Sequence, residues 1–292
     1  MNFFPLQRGL RQIARDDFRQ LQRLVQKLWK EKPVPDELQP IIETLTAEKY
    51  LNRTLGELIH EWLDSLRLLR KSGRIIAPPG TGKTVICEGY ALLNRPQKRL
   101  GQRDIVPVLY LEATPDCSIS DLLVMILQTL NGDSVGQATY LRKRTLDILK
   151  ASNVEMILFD EANLMTISAL GELARIFNQL KISIILIGTE ELNNLVTRKE
   201  YIHDRFKKCY RFGVLSEGEV YGIVDRLEEE ILQLPVPSNL AVEEISKRLY
   251  VKTNGKIRHL DWVLRESAIF SLKKGFKQVD KATLFEVLER FE

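Results

Sequence analysis

The sequence predicts an α/β protein, a parallel sheet layered between helices, with helical segments before and after it. Three observations lead there. Short apolar runs alternate with helical patterns between residues 73 and 212, one run opens through a glycine-containing loop into a helix, and another ends in two adjacent carboxylates. Strands that alternate with helices return to the sheet in parallel, because each crossover is right-handed and needs a helix to make it.

Taken in order, residues 5–30 carry Leu6, Leu10, Ile13, Phe18, Leu21, Leu24, Val25 and Leu28 at helical spacing among Arg and Gln. This is an amphipathic helix that Pro33 and Pro35 end. It either packs on the core or serves as a docking arm for a partner, and a single amphipathic helix normally buries its stripe. Residues 37–47 read as a short helix. Residues 54–69 read as a longer one, with Leu55, Leu58, Ile59, Trp62, Leu63 and Leu66 on one face. The expected strands are 74–77, 105–111, 154–160, 182–188 and 208–212, the last with the weakest pattern. After Leu215 only helices are expected, over 217–232, 239–250, 258–273 and 281–291. Pro235, Pro237 and the Asn254-Gly255 turn separate them. The expected division is an N-terminal helical arm (1–50), an α/β core (51–215) and a C-terminal helical lid (216–292).

Composition narrows the class. With 292 residues and 44% hydrophobic side chains the chain can bury a sizeable core. Its longest apolar runs, such as Met156 to Phe159, have strand length and fall far short of the ~20 residues that cross a bilayer. No charged start, apolar run and cleavage site follow Met1 in that order, so a cytoplasmic protein is expected. Cys87, Cys117 and Cys209 are scattered, as are His60, His203 and His259, which indicates neither a disulfide framework nor a zinc site. A formal charge of +4 permits nucleic-acid binding without requiring it.

The chemistry concentrates in three places. The segment APPGTGKT, residues 77–84, matches GxxxxGK[ST] except that Ala77 stands where the first glycine usually does. A loop that wraps its N–H groups around a phosphate needs backbone conformations that Gly80 and Gly82 tolerate, and it must open into a helix whose positive end faces the same anion. Pro78, Pro79, Gly80, Thr81, Gly82, Lys83, Thr84 and Val85 are therefore the expected nucleotide contacts. Lys83 reaches for the β and γ phosphates of ATP, and Thr84 for Mg²⁺. The second place is the strand that ends in Asp160 and Glu161, at the sheet edge where open α/β folds bind ligands. Asp160 is expected in the Mg²⁺ shell and Glu161 as the group that polarises the attacking water. The third is Thr189, after the run 184–187, which either orients that water or caps the following helix.

These blocks carry a family resemblance. The chain resembles AAA+ ATPases over residues ~50 to 292, and WLDSLRLLRKSGRIIAPPGTGKT, VEMILFDEAN, SIILIGTEEL, DRFKKCYRFGVLS and LPVPSNL look like the TniB/TnsC branch, ATP-dependent target-site regulators of transposition. The likeness is strongest to the short members found in CRISPR-associated transposons. It implies a five-stranded AAA+ sheet with the Thr189 strand between the phosphate-loop and Asp160 strands. It also implies self-assembly as a ring or helical filament around double-stranded DNA, nucleoid association, and as partners a transposase, a target-selector protein and a CRISPR effector. By motif position Arg205 is the candidate arginine finger, with Arg211 as the alternative, and Arg258 the candidate lid arginine on the nucleotide. The physical need is for cations of fixed geometry where charge develops on the γ-phosphate.

No separate reader domain fits in the remaining length, so DNA contacts are expected from short basic clusters. Arg142, Lys143 and Arg144, with the preceding loop 132–139, are the first candidates. Two other uses of an ATP site stay open: a clamp-loader or helicase-loader ATPase that remodels a protein, and a scaffold locked by nucleotide without turnover.

Overall fold

The five apolar runs form one parallel sheet: β1 (Gly73–Ile76), β2 (Val108–Glu112), β3 (Met156–Asp160), β4 (Ser183–Gly188) and β5 (Lys208–Arg211), in the order β2-β3-β4-β1-β5. The computed structural model describes residues 10–30, 33–47 and 54–291. Residues 5–9 of the first expected helix lie outside that range. The helices are α1 (Leu10–Leu28), α2 (Gln39–Thr46), α3 (Thr54–Leu68), α4 (Lys83–Leu93), α5 (Ile119–Thr129), α6 (Ala138–Ala151), α7 (Ile167–Leu180), α8 (Glu190–Thr197), α9 (Glu200–Arg205), α10 (Glu217–Leu227), α11 (Glu243–Thr253), α12 (Ile257–Lys273) and α13 (Lys281–Arg290). The chain divides into two units, one holding the sheet and α3 to α9, the other holding α1, α2 and α10 to α13.

In the sheet unit every residue of β3 and β4 is buried. Side chains alternate between two cores, as the period of a strand requires. Ile75, Met156, Leu158, Ile185 and Ile187 pack with Ile59, Leu63 and Leu66 of α3 and with Ile86, Cys87 and Tyr90 of α4. Ile76, Ile157, Phe159, Ile184 and Leu186 pack on the other face against α5, α6 and α7. Each such aliphatic side chain contributes ~1.5–3 kcal/mol of burial, and covering both faces is why these strands read as unbroken apolar runs.

Two strands differ from expectation for local reasons. The expected strand at Ile105 enters the sheet only at Val108, because Pro107 has no N–H to give a ladder. Ile105 pairs instead with Gln97, antiparallel, and the Pro107 carbonyl accepts the N–H groups of Glu155 and Met156, each at 3.0 Å. The least apolar strand, β5, is an edge strand paired only to β1 and part-exposed, so its sequence needs no continuous apolar run.

The helical unit has its own core. Phe18, Leu21 and Val25 of α1 and Ile42 and Leu45 of α2 are buried with Val220, Val224, Leu249, Leu260, Leu264 and Leu284 of the C-terminal helices. Arg265 of α12, fully buried, binds both carboxylate oxygens of Asp261 at 2.9 Å, donates to the Leu45 carbonyl at 2.8 Å and lies over the Phe18 ring at 5.1 Å. The helix expected over 217–232 stops at Leu227 and continues as a π turn, Glu228–Leu232. The Glu228 carboxylate gathers the N–H groups of Ser238, Asn239 (2.8 Å) and Leu240 (3.0 Å), and Asn239 sits at φ 52°. A residue held in that conformation cannot start a helix, so α11 begins at Glu243. No described helix is long and apolar enough to cross a membrane.

Candidate nucleotide-binding site

Strand β1 leads through Ala77, Pro78 and Pro79 into a turn in which Gly80 has φ 80° and Gly82 φ 89°. Both values belong to the region that side chains disfavour, which is why glycines stand there. Helix α4 then starts at Lys83, so its first N–H groups and its positive end open onto the loop. Thr81 and Lys83 are buried.

The acidic pair meets this helix at the carboxyl edge of the sheet. Asp160 is fully buried. Its Oδ2 accepts the Thr84 hydroxyl at 2.7 Å and the Tyr110 hydroxyl at 2.8 Å, and its Oδ1 accepts the backbone N–H of Glu161 at 2.7 Å. Three donors satisfy a charge that burial would otherwise penalise. Tyr110 was not singled out in the sequence; the signal was its place in β2, opposite Leu158 and two residues before Glu112, which pairs with Asp160. Burial first, and then the Asp160 charge, push its phenol well above the ordinary range, so it stays a donor. Glu161 departs from helix and strand geometry alike, at φ 47°, and its Oε1 lies 3.8 Å from Lys83 Nζ. A non-glycine residue held there costs ~1–3 kcal/mol, and such strain gathers at functional positions.

Thr189 stands at the N-cap position of α8, but its hydroxyl makes no cap hydrogen bond. Its Oγ1 is buried without a protein partner, and so is Oδ1 of Asn163. A hydroxyl on Thr84 and a carboxylate on Asp160, side by side at 2.7 Å, are the donor set that Mg²⁺ uses when phosphates and waters complete its shell. With the N–H groups of the loop, Lys83 and the orphaned Thr189 hydroxyl, the residues present fit ATP with Mg²⁺.

The candidate arginines divide. Arg205, at the end of α9, is exposed, with its guanidinium 6.0 Å from the centre of the Phe177 ring. Arg211 is committed within the chain to Glu190. Arg258, at the second residue of α12, pairs with Asp17 of α1, Nε to Oδ2 at 2.6 Å and Nη2 to Oδ1 at 2.7 Å. The basic cluster also divides. Arg142 binds the buried carboxylate of Glu172 at 2.9 Å, Arg144 binds Asp133 at 2.9 Å and the Val135 carbonyl at 2.6 Å, and Lys143 is exposed. Arg74 is buried in β1, where it binds Asn193 at 3.2 Å and the Phe206 carbonyl.

A family model described as bacterial TniB protein matches residues 39–212, more than half of the 292. The chain belongs to the TniB family. No curated protein matches the sequence. Among solved structures the TniB chain is similar to Cdc6p from Pyrobaculum aerophilum, with a TM-score of 0.65 and 17% identity over 85% of this chain and 71% of that one. It is similar to Aeropyrum pernix ORC2 in its ADPNP-ADP complexes, with a TM-score of 0.63 and 13% identity over 85% and 71%. Aeropyrum pernix ORC1, solved in complex with DNA, matches with a TM-score of 0.63 and 17% identity over 86% and 69%. At these identities the likeness shows the fold. The TniB chain has the AAA+ architecture of the ORC and Cdc6 proteins, including a five-stranded parallel sheet with the strand of Thr189 between those of the phosphate loop and Asp160.

Proposed function

We propose that this chain is an ATP-hydrolysing regulator of transposition: with ATP and Mg²⁺ bound it assembles on double-stranded DNA, marks a target site and engages a transposase, and hydrolysis releases it. The observation that carries the reading is the set Lys83, Thr84, Asp160 and Glu161, converging within hydrogen-bond and ion-pair distance at the carboxyl edge of the sheet. Lys83 supplies positive charge to the β and γ phosphates, Thr84 and Asp160 hold the metal shell, and Glu161 takes a proton from the attacking water. TniB membership supports the transposition role. The DNA complex of the similar ORC1 supports a duplex as ligand. Lys143, exposed on α6, and the other small basic loops offer backbone contacts whose sum over many subunits gives salt-sensitive, sequence-tolerant binding. A target-selector protein and a CRISPR effector complete the proposed partners, by the resemblance described above.

The test is ATP turnover and filament formation by electron microscopy, with and without linear duplex. Wild type is expected to bind ATP, assemble on duplex and turn over faster there. Lys83→Ala is expected to lose nucleotide binding at least 100-fold, and Glu161→Gln to bind and assemble while turnover falls at least 100-fold. Nucleotide affinity indifferent to Lys83→Ala would overturn the reading.

A further inference from the structure

We propose that Asp17 of α1 competes with the phosphates of bound nucleotide for Arg258, so that ATP binding at the phosphate loop loosens the start of the N-terminal helix. The inference rests on the nucleotide-binding reading above and deepens it. The tip of the loop, Gly80–Gly82, clusters with the helical unit. There the Arg258 N–H donates to the Gly80 carbonyl at 3.3 Å. A Cβ on Gly80 would lie 3.5 Å from Lys256 Cδ, and one on Gly82 would lie 3.7 Å from Ile257 Cγ2. The start of α12 therefore rests on the turn that would cradle the phosphates, and an anion on that turn is within one side chain's length of Arg258.

Charge makes the case. The first turn of α12 carries no acidic residue; Arg258 and His259 stand in it, and Lys256 holds the N-cap position. A helix begins at its positive end, so cations there are locally unfavourable unless an anion close by offsets them. Burial, then the Lys256 and Arg258 charges, hold the His259 imidazole below its ordinary value, as a local excess of positive charge requires. Asp17 supplies such an anion, with Arg258 Nε to Oδ2 at 2.6 Å and Nη2 to Oδ1 at 2.7 Å. The pair is part-exposed, with 43% of the arginine side chain and 26% of the aspartate accessible. Pairs so exposed to water hold with little net energy. A triphosphate on the loop brings several negative charges, and a guanidinium fork matches phosphate as well as it matches carboxylate. Once Arg258 turns to the phosphates, Asp17 loses this partner and faces like charge, which weakens the hold on the first two turns of α1. Phe18, Leu21 and Val25, buried in the helical core, keep the rest of that helix in place.

An aspartate that merely braces the fold, or that aims Arg258 at the nucleotide, and one that competes for it predict opposite signs. Asp17→Asn and Arg258→Ala, singly and together, test this in binding of a non-hydrolysable ATP analogue with Mg²⁺, in thermal unfolding without nucleotide, and in amide exchange. Asp17→Asn is expected to bind the analogue about threefold more tightly, because Arg258 no longer leaves a carboxylate to reach it, with Tm unchanged to within about 2 °C. Arg258→Ala is expected to bind about tenfold more weakly. Adding Asp17→Asn to Arg258→Ala is expected to change nothing further, since the competition needs both groups. In wild type the analogue is expected to quicken amide exchange over 11–17 while slowing it over 78–84. Affinity unchanged or weakened in Asp17→Asn, the same gain with Arg258 absent, or slower exchange over 11–17 with analogue bound would each overturn the inference. Wild type whose nucleotide affinity is indifferent to Lys83→Ala would instead sink the nucleotide-binding reading itself, and this inference with it.

Discussion

At the scale of single residues, the site is organised around one buried carboxylate. Asp160 takes hydrogen bonds from Thr84, Tyr110 and its own chain, and the two hydroxyls share one oxygen. Removing the phenol in Tyr110→Phe leaves that oxygen one donor short, and a hydrogen bond to a charged group is worth ~1.5–3 kcal/mol. The variant is expected to fold, to bind nucleotide without metal as wild type does, and to need several-fold more Mg²⁺ for half-maximal turnover. A magnesium titration at fixed ATP checks it. Cys87, fully buried on α4 behind the loop, offers a second reading of the same interior. Burial, then the Asp160 charge, hold its thiol well above the ordinary value. The raised value keeps the thiol protonated up to at least about pH 8.5, where an exposed thiol is half ionised. Iodoacetamide at that pH is expected to spare Cys87 in the folded protein and to label it after unfolding, as peptide mapping would show. The sequence made Lys83, Thr84, Asp160 and Glu161 legible because their spacing is set by a local strand, loop and helix. Tyr110 was not legible. Its role arises from pairing between strands distant in sequence, and nothing local distinguishes it from a core aromatic.

At the scale of elements, legibility followed burial on both faces. Strands β3 and β4 were plain because every side chain is covered, whereas β2 began late at a proline and β5 was faint as an edge. The association of α1 and α2 with the C-terminal helices was invisible, because amphipathicity says that a stripe is buried and not against what. Arg265 is a buried polar link between them, through the Leu45 carbonyl and the Phe18 ring, and it is held by Asp261. Its removal leaves the part-buried Asp261 carboxylate without its partner and opens a cavity together. Arg265→Ala is expected to destabilise the helical unit by about 3–5 kcal/mol. Amide exchange in 33–46 and 257–272 should quicken while strands β3 and β4 keep their protection. Arg265→Met, which fills the volume without pairing Asp261, should recover part of the packing and little of the loss due to that carboxylate. Equal protection of α2 in wild type and Arg265→Ala would show that the clamp contributes nothing.

At the scale of the whole molecule, the decisive question is whether one chain can complete its own site. Arg205 ends α9, and β5 begins three residues later at Lys208, which pairs with Gly73 at the start of β1. The phosphate loop follows the other end of β1, after Ile76. Arg205 therefore belongs to the amino edge of a parallel sheet whose phosphate loop is at the carboxyl edge. The four residues of β1 alone separate them by about 13 Å, at ~3.3 Å for each residue. That is beyond the reach of one side chain, so an arginine finger at this position must serve a neighbouring chain. Arg205 is exposed, and the alternative, Arg211, is paired with Glu190 in an exposed ion pair. Turnover per chain is expected to rise with protein concentration and with duplex that gathers the chains. Arg205→Ala should lower it 10²–10³-fold while leaving analogue binding within a few-fold, in line with the usual worth of such a cation. Mixing supplies the sharper measurement. Arg205→Ala keeps an intact phosphate loop and lacks the finger, whereas Lys83→Ala lacks nucleotide binding and keeps the finger, so the two inactive variants together should regain a measurable fraction of wild-type activity. A mixture as inactive as its components, or a wild-type rate independent of concentration, would place the finger in the same chain as its phosphate loop or deny Arg205 that role.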